Sequence, residues 1–135
     1  MDNLSKRQRS QRMSLIRSKD TGPELRVRKL AHQLGFRFRL HSRRLPGRPD
    51  LVFPRLRKAL FVHGCFWHRH SGCSRNRTPK SRLEFWVPKL KENRIRDKKT
   101  VRCLERLGFK VGIVWECETE DSVLLARKLR RFLSA

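Results

Sequence analysis

The chain has 135 residues, of which 35 are Lys or Arg and 12 are Asp or Glu, giving a formal net charge of +23 at pH 7. This length predicts one domain, and the 37% of hydrophobic residues excludes a fully solvated basic tail. A charge excess of this size favours a polyanionic partner, with nucleic acid as the first candidate.

The apolar runs of the chain are too short to cross a membrane. The longest include residues 60–62 and 111–115, far below the roughly 18 residues that span a bilayer. Residues 1–12 are rich in charge and lack the apolar core of a secretory signal. We therefore expect a cytoplasmic protein that is held at the nucleoid through DNA binding.

Two helices are predicted at the start of the chain. Residues 5–17 are basic, and helical spacing would place Met13 and Ile16 on one face. Residues 21–24, Thr-Gly-Pro-Glu, are typical of a capping box with an early proline, so a second helix begins there and ends at Gly35. Its apolar positions at helical spacing are Val27, Leu30, Ala31 and Leu34.

Three short strands follow the second helix. Residues 36–40 alternate Phe, Arg, Phe, Arg, Leu as a half-buried strand does, and residues 50–53 and 58–62 are apolar runs of strand length. Three strands in succession predict a meander. The alternation of apolar and polar residues is lost over residues 63–80, and a loop of this length needs an internal cross-link to hold one conformation.

The C-terminal half alternates helix, strand and helix. Residues 81–84, Ser-Arg-Leu-Glu, have the pattern of a second capping box for a long helix closed by Gly108, with Pro88 delaying or kinking its start. The apolar stripe of this helix is Trp86, Leu90, Val101, Leu104 and Leu107. Residues 109–115 predict a buried strand, and Asp121 can cap a last helix. That helix carries Val123, Ala126, Leu129 and Phe132 or Leu133.

The long helix determines how the last two predicted strands are related. Because it joins the strand that ends at Val62 to the one that ends near Trp115, these strands are predicted to be parallel neighbours in a right-handed crossover. Their C-terminal ends then share one edge of the sheet. The fold class that follows is α/β, a single domain with a mixed central sheet flanked by helices.

Cysteine and histidine residues cluster in the long loop. Cys65, His70 and Cys73 have the spacing Cys-x4-His-x2-Cys, close to the local spacings of tetrahedral zinc sites. Cys117 follows the strand end that the crossover brings near Cys65, whereas Cys103 lies inside the long helix. We therefore expect zinc to be held by the first three residues and Cys117, with Cys103 an ordinary thiol. Four protein ligands leave no open position, so this zinc is structural; the alternative is a set of unrelated thiols.

Polar residues at the same sheet edge are candidates for hydrolytic chemistry. Asp50 opens a strand, although aspartate beside proline is also common in turns. His63 ends the next strand, and His68 lies two residues before His70. Asp97 on the long helix can orient His68 as a general base, because a carboxylate fixes the imidazole tautomer and stabilises its protonated form. The alternative for Asp97 is a solvated ion pair with Arg94, Arg96 or Lys98.

Four segments together resemble a known family. They are residues 45–50 (LPGRPD), 61–68 (FVHGCFWH), 84–86 (EFW) and 114–117 (VWEC). They closely resemble the very short patch repair endonucleases, the Vsr family, and the likeness extends from Arg9 to the last helix.

This resemblance implies a DNA mismatch endonuclease that recognises a T:G mismatch left by deamination of 5-methylcytosine and nicks the strand 5′ to the thymine. It implies a core related to type II restriction enzymes at residues 21–135, with the zinc loop at residues 63–80, after a basic DNA-contacting helix at residues 1–20. We expect a monomer acting on double-stranded DNA. Two rival hypotheses are a zinc-stapled nucleic-acid-binding protein without catalysis and a restriction endonuclease that cuts paired DNA.

The resemblance also implies two metals and their ligands. Catalytic magnesium is bound by Asp50 with the backbone carbonyl of Val62, and Glu24 supports the water around that metal. Structural zinc is held by Cys65, His70, Cys73 and Cys117, in agreement with the spacing.

The histidines carry the proton chemistry that the resemblance implies. His63 and His68 flank the scissile phosphate, and His68 is paired with Asp97. Residues 61–63, Phe-Val-His, stand where most restriction enzymes carry an acidic residue, a spacer and a lysine. This difference favours a histidine-based mechanism.

Aromatic side chains are the expected mismatch sensors, because a wedge between base steps costs least where pairing is already weakened. The resemblance implies that Phe66, Trp67 and Trp86 intercalate from the major groove and that Met13 and Ile16 enter the minor groove. For Trp86, packing in the core is an equal alternative, since it also falls on the apolar stripe of its helix. The residues implied in base discrimination are Lys89 and Asn93.

Overall fold

A mixed four-stranded sheet organises the part of the chain that the computed structural model describes, residues 20–75, 77 and 79–134. The first predicted helix, with Met13 and Ile16, lies outside the described residues. The described elements, in chain order, are α1 (Gly22–Gln33), β1 (Arg39–Leu40), β2 (Leu51–Phe53), β3 (Lys58–His63), α2 (Leu83–Arg106), β4 (Lys110–Trp115), a 3-10 helix (Glu116–Glu120) and α3 (Ser122–Ser134). This order is the predicted one, and the chain is a small α/β domain.

The strands lie in the order β1-β2-β3-β4. The first three are antiparallel, whereas β3 and β4 are parallel, with Val62 opposite Val114 and His63 opposite Trp115. Both the meander and the parallel crossover through α2 are therefore confirmed, and the sheet is mixed. The carboxyl ends of β3 and β4 reach the same edge.

Two strands differ from their predictions. β1 has two residues instead of five, and these pair with two of the three residues of β2. Phe36 and Phe38 precede β1 and pack against the core as partly buried side chains. β4 was expected to be buried, but it is the edge strand of the sheet, and of its side chains only Val114 is buried.

Helix α1 begins as its sequence predicts. The Thr21 side chain accepts a hydrogen bond from the Glu24 backbone N–H at 3.4 Å. The return bond runs from the backbone N–H of Asp20, one residue before the cap, to Glu24 Oε2 at 2.9 Å. This exchange fixes the buried Glu24 carboxylate at the first turn of the helix.

Helix α2 begins differently from its prediction. The residue before its first turn is Arg82, in a left-handed conformation with φ 55°, and no side chain caps the helix. The predicted capping box at Ser81 is therefore wrong, since the helix starts one residue later than that pattern requires. Pro88 lies within the helix and does not delay its start, while the predicted end is confirmed by Gly108 at φ 90°.

The main core lies between the sheet, α1 and α3. Asp121 caps α3 as predicted, accepting hydrogen bonds from two backbone N–H groups. The buried side of α3 is shifted, however, because it faces α1 and the sheet with Leu125, Leu129 and Leu133, while Val123 is 66% exposed and Ala126 half-buried. The other buried residues of this core are Val27, Ala31, Leu51, Phe53, Leu60 and Val114. No helix among the described residues has the length and apolar character that a bilayer-spanning segment needs.

The shifted side of α3 gives a matched pair of substitutions. Leu129 is fully buried, so Leu129→Ala should lower the free energy of unfolding by about 2–5 kcal/mol, through lost burial and the cavity left behind. Val123→Ala, on the exposed side, should change it by less than about 0.5 kcal/mol. Urea unfolding of both variants tests this, and equal losses would contradict the packing described for α3.

Candidate functional site

The candidate site forms where the parallel strands end. His63 is the last residue of β3 and lies opposite Trp115, the last residue of β4. Cys65 and Cys117 follow two residues beyond each of these positions. The parallel pairing thus brings two distant segments of the chain to one edge, as the crossover predicts.

Cys65, His70, Cys73 and Cys117 come together at this edge. One potential ligand atom from each residue lies within 4.8 Å of the others, and Cys117 Sγ is 3.5 Å from His70 Nδ1. Zinc bonds of about 2.3 Å to sulfur and 2.0 Å to nitrogen give a tetrahedral edge of about 3.5 Å, so the donor set fits a closed zinc site. The predicted grouping is confirmed, with Cys103 outside it on α2.

The surroundings of this Cys/His cluster favour a bound cation. Burial raises the pKa of Cys117 to about 12 and also raises the pKa of Cys65. The backbone N–H of Arg75 lowers the pKa of Cys73. Thiolates are costly to bury unpaired and bind metal far better than neutral thiols do, so a bound cation would stabilise the deprotonated form of these three adjacent sulfurs.

A cleft of about 420 Å³ lies beside the cluster. Its walls contain all six residues predicted for catalysis or for magnesium binding. These are Glu24, Asp50, Val62, His63, His68 and Asp97. Residues from α1, the β1–β2 connection, β3, the loop and α2 thus share one cavity, so Asp50 and His68 lie on the same side of the molecule.

Asp50 is held at the floor of this cleft. It follows the buried Pro49, and its Oδ2 accepts a hydrogen bond of 2.6 Å from the backbone N–H of Val62. Burial raises the pKa of Asp50 to about 6, against the lowering effect of that bond, and the negative charge of Glu24 raises it further. Asp50 and Glu24 thus bring two carboxylates together in a largely buried place, and oxygen donors of this kind suit a hard divalent cation such as magnesium.

The two histidines differ in their surroundings. His68 Nδ1 is 2.6 Å from Asp97 Oδ2, so Asp97 is the partner of His68. The His68 ring stacks on the His63 ring, with centroids 3.8 Å apart and planes 9° from parallel. Burial lowers the pKa of His63 to about 4, and the charge of His68 adds to this effect. His63 is therefore neutral at pH 7, whereas the ring of His68 is paired with a carboxylate.

A continuous series of ring contacts joins the histidines to the Cys/His cluster. Trp115 stacks on His70, with centroids 4.3 Å apart, and meets the His63 ring edge-on at 5.3 Å. His63 in turn stacks on His68. Sequence analysis did not single out Trp115, although its position at the end of β4 between two candidate ligand segments was a usable signal.

An aromatic surface lies at the entrance of the loop. Phe66, Trp67 and Trp86 are half-buried, and their ring centroids are 5.2 to 5.7 Å apart. Trp86 packs on these rings and on Phe85, which is 44% exposed, and belongs to neither hydrophobic core cluster of the described residues. Trp86 thus lies on the aromatic surface and not in the core. Lys89 is exposed beside Phe85, and Asn93 lies half-buried one turn further along α2.

Two basic residues that contact the carboxylates of this region, Arg28 and His41, were missed by the sequence analysis, and of the two only His41 lines the cleft. Arg28 lies four residues after Glu24 on α1, and its guanidinium contacts Glu24, Asp20 and His41. His41 follows β1 and approaches Asp50 to 3.9 Å. The helical spacing of Glu24 and Arg28 was a signal for their pairing, but no local pattern indicated His41.

Comparisons with known proteins identify relatives of this chain. Residues 1–75 match the family described as DNA mismatch endonuclease Vsr. The chain is 50% identical over 132 residues to the type II nicking enzyme V.XorIIP of Xanthomonas oryzae pv. oryzae, covering 98% of this chain and 96% of the relative. It is 42% identical to the type II nicking enzyme V.NmeAIP of Neisseria meningitidis, covering 90% and 86%. It is 43% identical to the DNA mismatch endonuclease Vsr of Escherichia coli, covering 81% and 69%.

The two cysteine environments allow a direct test of the metal centre. Cys117→Ser removes a member of the Cys/His cluster, so the purified variant should lose its zinc and melt at a lower temperature. Cys103→Ser, on α2, should keep one zinc per chain. Elemental analysis and thermal unfolding measure both effects, and equal zinc contents in the two variants would refute the ligand set.

Asp50 gives a pH-dependent prediction for the magnesium-free protein. Its folded pKa of about 6 lies above the usual 3.8, so protonated Asp50 stabilises the fold below pH 3.8 and that stabilisation is lost as the pH rises through 6. At pH 8 Asp50→Asn should therefore raise the free energy of unfolding by about 1–3 kcal/mol. The gain should nearly vanish at pH 4. Thermal unfolding of both proteins in magnesium-free buffer measures it, and an equal gain at both pH values contradicts the assignment.

Proposed function

The chain belongs to the Vsr family of DNA mismatch endonucleases, and we propose that it nicks one strand of duplex DNA 5′ to the thymine of a T:G mismatch, as arises from 5-methylcytosine deamination. The observation that carries this proposal is the His68–Asp97 pair in the same cleft as the partly buried Asp50. The names of the nicking relatives support cleavage of a single strand.

The acidic side of the cleft is the proposed magnesium site. The Asp50 carboxylate and the backbone carbonyl of Val62 would hold the ion, with Glu24 nearby to orient water. Magnesium supplies positive charge to the phosphate as negative charge develops in the transition state. The contribution of the chain is to hold Asp50 in place through the Val62 N–H, so that one carboxylate oxygen is already oriented.

His68 is the proposed general base. Its Nδ1 is engaged by Asp97, which fixes the tautomer, and so its other ring nitrogen can take the proton of the attacking water. His63 stays neutral beside it and supports the ring of His68 by stacking. This arrangement needs no catalytic lysine at the end of β3, where His63 stands.

The Cys/His cluster is the proposed structural zinc site. His70 is two residues from His68, so a bound zinc would fix the backbone that carries the general base. With Cys, His, Cys and Cys as ligands, the metal has no open position for water. Its proposed role is to order residues 63–80 over a fold that we propose is related to the core of type II restriction enzymes.

The aromatic surface is the proposed mismatch reader. Phe66, Trp67 and Trp86 form one partly exposed group of rings, which supports insertion between base steps of a weakened pair. Residues 1–20 are proposed to act as a basic arm whose Met13 and Ile16 approach from the minor groove. Base discrimination is proposed for Lys89 and Asn93, and the protein is proposed to act as a monomer.

A nicking assay on three duplexes tests the proposal. The duplexes carry T:G, T:A or C:G at one site in otherwise identical sequence, with magnesium present. We expect nicking of the T:G duplex alone, immediately 5′ to the thymine. Equal cutting of paired duplexes would indicate a restriction endonuclease, and binding without cleavage would indicate a non-catalytic DNA-binding protein.

Substitutions in the cleft test the residue roles in the same assay. Asp50→Ala should abolish nicking with the zinc content unchanged, and His68→Ala should lower the rate at least about 10²-fold. His32→Ala, at an exposed histidine of α1, is the matched control and should nick at the normal rate. Normal turnover of either cleft variant would overturn the role proposed for that residue.

A further inference from the structure

Arg48 has a strained backbone conformation in the wall of the cleft. Its φ is 46°, in the left-handed region that glycine adopts readily and other residues rarely do. Arg48 also precedes Pro49, and a residue before proline is further restricted in its backbone angles. An arginine at this position therefore costs conformational free energy that a glycine would not.

The segment around Arg48 holds this conformation in place. The backbone N–H of Arg48 donates a hydrogen bond of 3.2 Å to the carbonyl of Leu45, which closes a four-residue turn. Gly47 is the third residue of the turn and has φ 73°. A Cβ at Gly47 would collide with Cγ2 of Thr100 on α2, so the turn lies directly against that helix. Pro49 on the other side is buried, and the backbone of Arg48 is therefore fixed from both sides.

The side chain of Arg48 lines the cleft and is exposed. Two further exposed arginines, Arg43 and Arg96, line the same cleft. Within the part of the chain that the structure describes, none of these three guanidinium groups has a carboxylate partner. The cleft thus combines carboxylates with arginines that are available to an anion.

A phosphodiester is the ligand that fits this combination of charges. Carboxylates suit a divalent cation, and the planar guanidinium of arginine matches the oxygens of a phosphate through two parallel hydrogen bonds. Arg48 lies two residues before Asp50, so both charges belong to one short segment of the chain. What arginine adds over glycine at position 48 is a guanidinium group beside the carboxylate of Asp50.

We propose that Arg48 binds a phosphate of the nicked strand next to the scissile phosphate, and that the strained turn is what directs its guanidinium into the cleft. The inference rests on the proposed function for its substrate, duplex DNA with the scissile phosphate at Asp50. That phosphate is assigned to the carboxylates and histidines of the cleft, so the guanidinium takes the neighbouring one.

A pair of glycine substitutions tests the strain. Arg48→Gly should raise the melting temperature of the full chain by about 2–6 °C, because glycine adopts the left-handed conformation without cost. Arg44→Gly is the matched control, since Arg44 is exposed in the same segment, has no positive φ and does not line the cleft. It removes the same charge, but it should lower the melting temperature, because glycine makes the unfolded chain more flexible.

Single neutral phosphates in the substrate test the contact with DNA. A methylphosphonate replaces one charged phosphate on either side of the scissile phosphate in the T:G duplex. At one of these two positions it should lower kcat/KM of the native protein by about 10-fold or more, because a charge-assisted hydrogen bond is lost.

The variants assign this loss to the guanidinium. Arg48→Gly should lose a similar factor on the unmodified duplex and nothing further on the modified one, while Arg44→Gly should behave as the native protein does. Arg48→Lys keeps the charge and should retain part of the sensitivity to the methylphosphonate.

Three outcomes would overturn the inference. The first is a lower melting temperature for Arg48→Gly, or its failure to fold. The second is a methylphosphonate loss that is equally large in the native protein and in folded Arg48→Gly. The third is native turnover that neither modified phosphate changes, which needs no variant. Failure of the proposed function is distinct from all three, because the native protein would then leave the unmodified T:G duplex intact.

Discussion

The parallel pairing of β3 with β4 is the constraint on which the candidate site depends. A parallel pair cannot be joined by a tight turn, so the 24-residue helix α2 must cross between the strands. That crossing carries Asp97 over the sheet edge to His68, and the register that sets His63 opposite Trp115 brings Cys117 to Cys65. One backbone interaction thus assembles both the His68–Asp97 pair and the Cys/His cluster from segments far apart in the chain.

The cleft shows how stability and activity oppose each other in a small domain. Burying Asp50 beside Glu24 costs folding free energy, as the raised pKa of Asp50 shows. The same pairing of two carboxylates is what makes the position attractive to a divalent cation. Arg28 and the Val62 N–H offset part of this cost with groups of the chain. The remaining part is available to a ligand, because a site fully neutralised by the protein would bind no metal.

The sequence predicted what depends on local spacing and on topology. Helix α1, the meander, the crossover and the choice of Cys117 over Cys103 all follow from caps, periodicity and the sharing of one sheet edge. The errors arose where tertiary contacts decide. The capping pattern at Ser81 was one residue away from the actual start of the helix. The buried side of α3 is decided by packing against α1 and the sheet, and more than one set of apolar residues at helical spacing in that segment could have formed it.

Arg28 and His41 were missed for a different reason, and the reason bears on how the site works. Each looks like an ordinary basic residue in a chain with 35 Lys or Arg and 5 His, and their roles follow only from the acids they contact. Their surroundings give these two residues their roles: a solvated arginine contributes little, whereas the side chain of Arg28 is 14% exposed and contacts Asp20 and the buried Glu24. In a protein with this many basic residues, the positive charges that shape the site are the few that contact carboxylates within the fold. Most of the others are screened by solvent and can bind any phosphate.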